Sequence, residues 1–179
     1  MANSFYLDAS ALAKRYVPEP GSALVHAVLD TVPSDRIYVL NIGTGEMVSI
    51  LVRKRNAGLI SSTYFAQALA NFRAEIVDAA DITKMSVTSR LVLGSFPLIV
   101  AHAINSTDAI TLKSALALAR KLRGTGGDLV VVASRPAPAP CRPGRRGQHV
   151  RSRNPGSGRS RSPSWPVTSP GSVRTRGMR

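Results

Sequence analysis

The sequence predicts a three-layer α/β domain, with helices on both faces of a central parallel sheet, spanning residues 1–134 of a 179-residue chain. Three observations carry this. Short β-branched runs alternate with longer segments whose apolar residues recur at helical spacing, the order that right-handed strand–helix–strand crossovers produce. Leu129 to Ala133 is a continuous apolar run of the kind found inside a parallel sheet, where both faces are covered. The length suits one domain with a sizeable core and is too short for two comfortable ones.

The elements follow in order. Ser4 to Leu7 is a short apolar run ending in Asp8, and Ala9 to Tyr16, rich in Ala and free of Gly, follows at once as a helix. Pro18, Pro20 and Gly21 stop that helix; Ser22 opens a second, with Leu24, Val25, Val28 and Leu29 at helical spacing and Pro33 closing it. Ile37 to Leu40 is the second strand, and Glu46 to Ala57, ended by Gly58, reads as helix. Ser62 to Asp78 is the clearest helix: Phe65, Ala68, Leu69, Phe72 and Ile76 share a face that should pack on the sheet. Ile82 to Val87 is weakly strand-like and Arg90 to Ala103 helical in parts. Asp108 to Leu122 is apolar on more than one face, which predicts burial on two sides. Gly124 to Gly127 lacks the Lys-Ser/Thr ending of a phosphate loop and follows a helix, so it reads as a turn.

Residues 134–179 break the pattern, with 8 Pro, 8 Ser, 6 Gly and 11 Arg around a single aromatic, Trp165. Such a composition cannot bury enough apolar surface to offset its chain entropy, so 135–179 is expected to be a disordered Arg/Pro/Ser/Gly-rich tail. The tail also explains the charge. Of the formal +14, residues 1–133 contribute only +3, from 13 basic and 10 acidic residues, while the tail has Arg and no Lys, Asp or Glu. The high charge is therefore no property of the folded part. The switch falls within a residue or two of Ser134, and Arg without Lys is what GC-rich DNA yields when translated out of frame.

The single cysteine, Cys141, allows no internal disulfide, and a reducing cytoplasm is the expected location. Met1 to Tyr6 has no signal-peptide character. The apolar stretch Leu91 to Ile104 is broken by Gly94, Ser95, Pro97 and His102 and falls short of the roughly 18–20 residues a spanning helix needs, so no membrane segment is expected.

Ligands of open parallel sheets bind beyond the carboxyl ends of the strands. Asp8 ends the first strand, Glu46 is expected in the opening turn after the second, and Asp108 opens the helix before the last. Taken singly, an acid in the first turn of a helix is explained by the dipole and the orphan amides there. Taken together, clustered carboxylates repel by several kcal/mol unless a cation is bound, so convergence points to a hard divalent ion such as Mg2+ and to phosphodiester hydrolysis. His26, His102 and His149 have no spacing that makes a metal site or a triad.

These residues carry a resemblance. Tyr6-Leu7-Asp8-Ala9-Ser10-Ala11-Leu12-Ala13-Lys14, followed by Pro18-Glu19-Pro20-Gly21-Ser22, resembles the opening of PIN-domain ribonucleases of the VapC toxin type. Glu46 before Val48-Ser49-Ile50-Leu51, and Thr107-Asp108-Ala109-Ile110-Thr111-Leu112, resemble that family's second and third acidic motifs in order and spacing. The resemblance implies a metal-dependent endoribonuclease with Asp8, Glu46 and Asp108 as catalytic and metal-site residues, Mg2+ or Mn2+ as cofactor, RNA as substrate and a small antitoxin protein as partner. It leaves a homodimer open. Ser10 matches a small polar position that often lines the same site, and a helix-opening residue explains it equally well.

Two departures stand out. Gly43 and Gly45 precede Glu46, each interior Gly costing about 1 kcal/mol against Ala, which predicts a loose start to that helix. The family usually has another Asp after its last core strand, where this chain has Ser134 followed by Arg135. Asp128 lies at the other end of that strand, about 20 Å away at roughly 3.3 Å per extended residue, and does not replace it. Two other functions therefore compete with the nuclease: a catalytically impaired relative that still binds an antitoxin-like partner, and a basic nucleic-acid-binding protein acting through its tail. The helix Glu46 to Arg55 is expected to present Arg53 and Arg55 to an acidic partner.

Overall fold

Successive side chains of a strand point to opposite faces, and in the computed structural model the first two strands sort their residues into two cores. The structure describes residues 3–134. Strand β1 (Asn3–Leu7) sends Leu7 into one core and Tyr6 into the other; β2 (Ile37–Leu40) sends Ile37 and Val39 to the first and Leu40 to the second. The first core is completed by helices α1 (Ala9–Tyr16), α2 (Ser22–Thr31), α3 (Asn41–Asn56) and α4 (Ser62–Phe72). The second is completed by α5 (Ser89–His102) and α6 (Ser106–Arg123). With β3 (Thr83–Met85) and β4 (Asp128–Val132) the strands form one sheet, all parallel, in the order β3-β2-β1-β4. This is the expected three-layer α/β/α arrangement with a central parallel sheet. The expectations for 135–179, and with them Cys141, His149 and Trp165, lie outside the described residues.

Four sequence readings are corrected. Helix α3 begins at Asn41, so it runs through Gly43 and Gly45 where a loose start was expected. A Cβ on Gly43 would make only ordinary contact with the Ala9 Cβ, at 3.9 Å, and the Thr44 hydroxyl donates back to the Asn41 carbonyl at 2.7 Å. Helix α5 is continuous through Gly94 and Pro97; the carbonyl that Pro97 leaves without a donor belongs to Leu93, which is exposed. The apolar stripe of α4 lies, as expected, in one core with Leu7, Ile37 and Val39 of the sheet, beside α3 and α1, and Arg73–Val77 continues the helix as a wider π turn.

The third and fourth corrections concern β4 and α6. The sequence of β4 reads as an interior strand, yet among the described residues it pairs only with β1 and leaves Val130 and Val131 exposed. Helix α6 shares that fate. Ala109, Ile110, Ala115 and Leu118 are buried, whereas Leu112 and Leu116 are exposed, so burial is one-sided where two sides were expected.

Candidate active site at the strand ends

The three acids of the sequence reading line one cleft of about 330 Å³, together with Ser10, Ser49 and Arg53. They arrive from three separate elements. Asp8 follows the last residue of β1, and its backbone N–H donates to the Val132 carbonyl at 3.0 Å, tying it to the end of β4. Glu46 projects from α3 and Asp108 from the first turn of α6.

A capping role accounts for these residues unequally. Asp108 belongs to the cap of α6: the N-cap residue Asn105 accepts from the Asp108 N–H on Oδ1 at 2.8 Å, and its Nδ2 donates to Asp108 Oδ2 at 2.7 Å. Asp8 occupies the N-cap position of α1 and makes no side-chain cap bond there; its Oδ2 accepts instead from the Ser10 hydroxyl at 2.5 Å. Ser10 Oγ in turn accepts from the Ser134 N–H at 3.3 Å, a contact across 124 residues of chain. Glu46 has no capping role, because α3 starts five residues before it, where the sequence placed it in the opening turn. Its presence in the cleft is left to what the cleft does.

The electrostatics point the same way. Burial pushes the Glu46 carboxyl above its usual range, and the negative charges of Asp8 and Asp108 push it further; Arg53 and the Thr107 hydroxyl oppose them. The three carboxylates are thus close enough to repel. Among the described residues no three Asp, Glu, His or Cys side chains close into a ready-made metal cage. The donors lining the cleft are carboxylate and hydroxyl oxygens, the ligand type of a hard divalent ion such as Mg2+ or Mn2+.

Sequence reasoning missed Ser49 and Arg53 as lining residues. Their signal was available in helical periodicity, since 46, 49 and 53 fall on one face. Asp128 lies at the opposite end of β4, beside Asn3, and pairs with Arg123 at 3.7 Å, as its rejection required. A separate polar cavity of about 360 Å³ contains Arg15, His26 and Glu75. Its charges are spent on each other: Arg15 bonds Asp30 at 2.7 Å and Glu75 at 3.2 Å, clamping α1 to α2 and to the turn after α4. Among the described residues no helix is long and apolar enough to cross a membrane.

The molecule is an α/β domain with an acidic cleft at the carboxyl ends of a parallel sheet. No family model and no curated protein matches the chain. Among solved structures it is similar to VapC20 of Mycobacterium tuberculosis, described as a sarcin-ricin loop cleaving toxin, at 18% identity and a TM-score of 0.48, covering 69% of this chain and 84% of that one.

Proposed function

We propose that the protein is a divalent-metal-dependent endoribonuclease, the toxin of a toxin–antitoxin pair, hydrolysing single-stranded or loop RNA at the cleft of Asp8, Glu46 and Asp108. The observation that carries this is the convergence of three carboxylates, two of them without a capping role, on one open cleft at the sheet's functional end. A bound Mg2+ or Mn2+ would neutralise the cluster and lower the pKa of a bound water, so that hydroxide would be available to attack phosphorus.

The chain's own residues do the rest. Asp8, Glu46 and Asp108 would hold the ion. The Ser10 hydroxyl fixes the rotamer of Asp8, the Ser134 N–H fixes Ser10, and Asn105 fixes Asp108, so two of the three ligands are oriented before any ion arrives. Arg53, beside Glu46, is the nearby cation able to meet a phosphate oxygen. The substrate class and the antitoxin rest on the motif resemblance around Asp8, Glu46 and Asp108, and the cytoplasmic location on the single cysteine, Cys141.

The test is cleavage of RNA by the full chain with Mg2+ or Mn2+, by wild type, Asp8→Asn and Asp108→Asn. Chelator and either substitution should each reduce cleavage at least a hundredfold. Full activity in either variant, or indifference to chelator, refutes the assignment. A second reading, an impaired relative that binds an antitoxin-like protein, is favoured by Arg135 standing where a fourth acid is expected. It predicts stable co-purification with the product of a neighbouring small open reading frame and no metal-dependent cleavage.

A further inference from the structure

Helix α3 ends in three consecutive cations, Arg53, Lys54 and Arg55, and the fold treats each differently. Arg55 stacks over the Phe65 ring, 4.6 Å from its centroid. Lys54 is ion-paired with Glu19. Arg53 is exposed and, among the described residues, has no hydrogen bond or ion pair; the charge it meets is that of Glu46. Beside it, Lys14 donates to the Pro20 carbonyl at 2.6 Å, which fixes the ammonium in place without neutralising it.

Arg53, Lys54 and Lys14, but not Arg55, border a groove of about 800 Å³ that also holds Glu19. The groove is continuous with the acidic cleft, since Ser10, Ile50 and Arg53 line both. Across the acids, the other flank is a smaller cleft of about 260 Å³ formed by Thr111, Leu112, Ala115 and Val131, with no cation among the described residues. The surface thus changes sign at Arg53: three cations and one acid on one side, three carboxylates on the other, and an apolar wall beyond.

We propose that the groove between α1 and the last turn of α3 binds the backbone phosphates of single-stranded RNA on one side only of the bond to be cut, with Arg53 and Lys14 as positioning residues. This rests on the ribonuclease reading. Three carboxylates repel a polyanion, so a substrate needs an anchor next to them, and Arg53 touches both regions. Its planar guanidinium suits bidentate phosphate contact and Lys14 serves as a point charge. A chain of phosphates held there delivers its next phosphodiester to the acidic cleft. An acidic peptide held there would deliver nothing the cleft can cleave.

The experiment uses the full chain and a labelled single-stranded oligoribonucleotide, with binding measured by anisotropy in chelator across a salt series. The Arg residues of 135–179 are common to all variants and cancel in the differences. Arg53→Gln and Lys14→Gln should each weaken binding about threefold to tenfold at low salt and lower the slope of log K against log salt by about 0.7, the value for one lost single-strand phosphate contact. Arg90→Gln, on the helix layer across the sheet, should do neither. In cleavage with Mg2+, Arg53→Gln should raise KM by more than it lowers kcat, and extending the oligonucleotide should improve KM from one end only. An unchanged slope in Arg53→Gln, an equal loss in Arg90→Gln, equal gains from both ends, or a poly-glutamate peptide that binds through Arg53 more tightly than RNA would each overturn the proposal. Slope losses as stated, in a protein that cleaves no RNA, would keep the groove as an RNA site and remove the nuclease.

Discussion

The phenol of Tyr6 offers a test of the core beneath the site. Its side chain is 0% exposed, and its oxygen has no hydrogen-bond partner among the described residues. The Ser114 hydroxyl is its polar neighbour: Ser114 Oγ gives its own hydrogen to Met85 Sδ at 3.8 Å and keeps lone pairs able to accept, but the phenol does not meet it in hydrogen-bonding geometry. A buried hydroxyl without a partner carries a desolvation cost of about 1–3 kcal/mol. Tyr6→Phe removes that cost and leaves a gap of one atom, whose lost contacts amount to a few tenths of a kcal/mol. The expected net gain is about 1 kcal/mol. With an unfolding entropy of roughly 2.1 cal/mol/K per residue over about 130 ordered residues, 1 kcal/mol corresponds to a rise of about 4 °C in Tm. Thermal unfolding followed by circular dichroism at pH 7 reads this directly, and RNA cleavage should be unaffected because Tyr6 does not line the cleft. A Tm lowered by 2 °C or more would refute the reasoning, since it would mean that the phenol is hydrogen-bonded in solution.

The Tyr16 hydroxyl is pushed well above its ordinary value of 10.0, first by burial and then by Glu75, to which it donates at 3.1 Å. The unfolded chain therefore loses this proton near pH 10 while the folded one keeps it, so stability is full below pH 10 and falls above it by about 1.4 kcal/mol per pH unit. Tyr16→Phe should cost about 1 kcal/mol at pH 7 and remove that decline, so a difference between variant and wild type that stays constant from pH 9 to 11 contradicts it. The edge of β4 that no strand among the described residues pairs should promote association; Val131→Lys, placing a charge on an exposed position, should shift the protein toward monomer in sedimentation, and an unchanged distribution counts against the edge. If the residues after Ser134 are translated out of frame, the gene should contain another frame that continues with Asp and a helical apolar pattern, and its absence from all three frames refutes that origin.

What could be read from the sequence was whatever depends on neighbours along the chain. Helix α1 and strand β2 occupy the residues that periodicity and punctuation assign them, because Pro18, Pro33 and the β-branched run act locally. Asp8, Glu46 and Asp108 were legible as a set through their positions at strand and helix ends. The misreadings share a physical cause, in that each depended on something distant. Helix α3 starts at Asn41 in spite of Gly43 and Gly45 because it packs along α1 in the first core, and tertiary packing overrides local propensity. The pattern of β4 reports two covered faces, but exposure is decided by whatever lies beside it, and among the described residues nothing pairs with its far edge. The same logic explains why Arg53 was assigned to a partner. In sequence it is one of three equivalent cations at a helix end; only when Phe65 engages Arg55 and Glu19 engages Lys54 does Arg53 stand apart, with its charge directed between the acidic cleft and the basic groove. The specificity of the site is written in which charges the fold leaves unspent, and that is a property of contacts between elements.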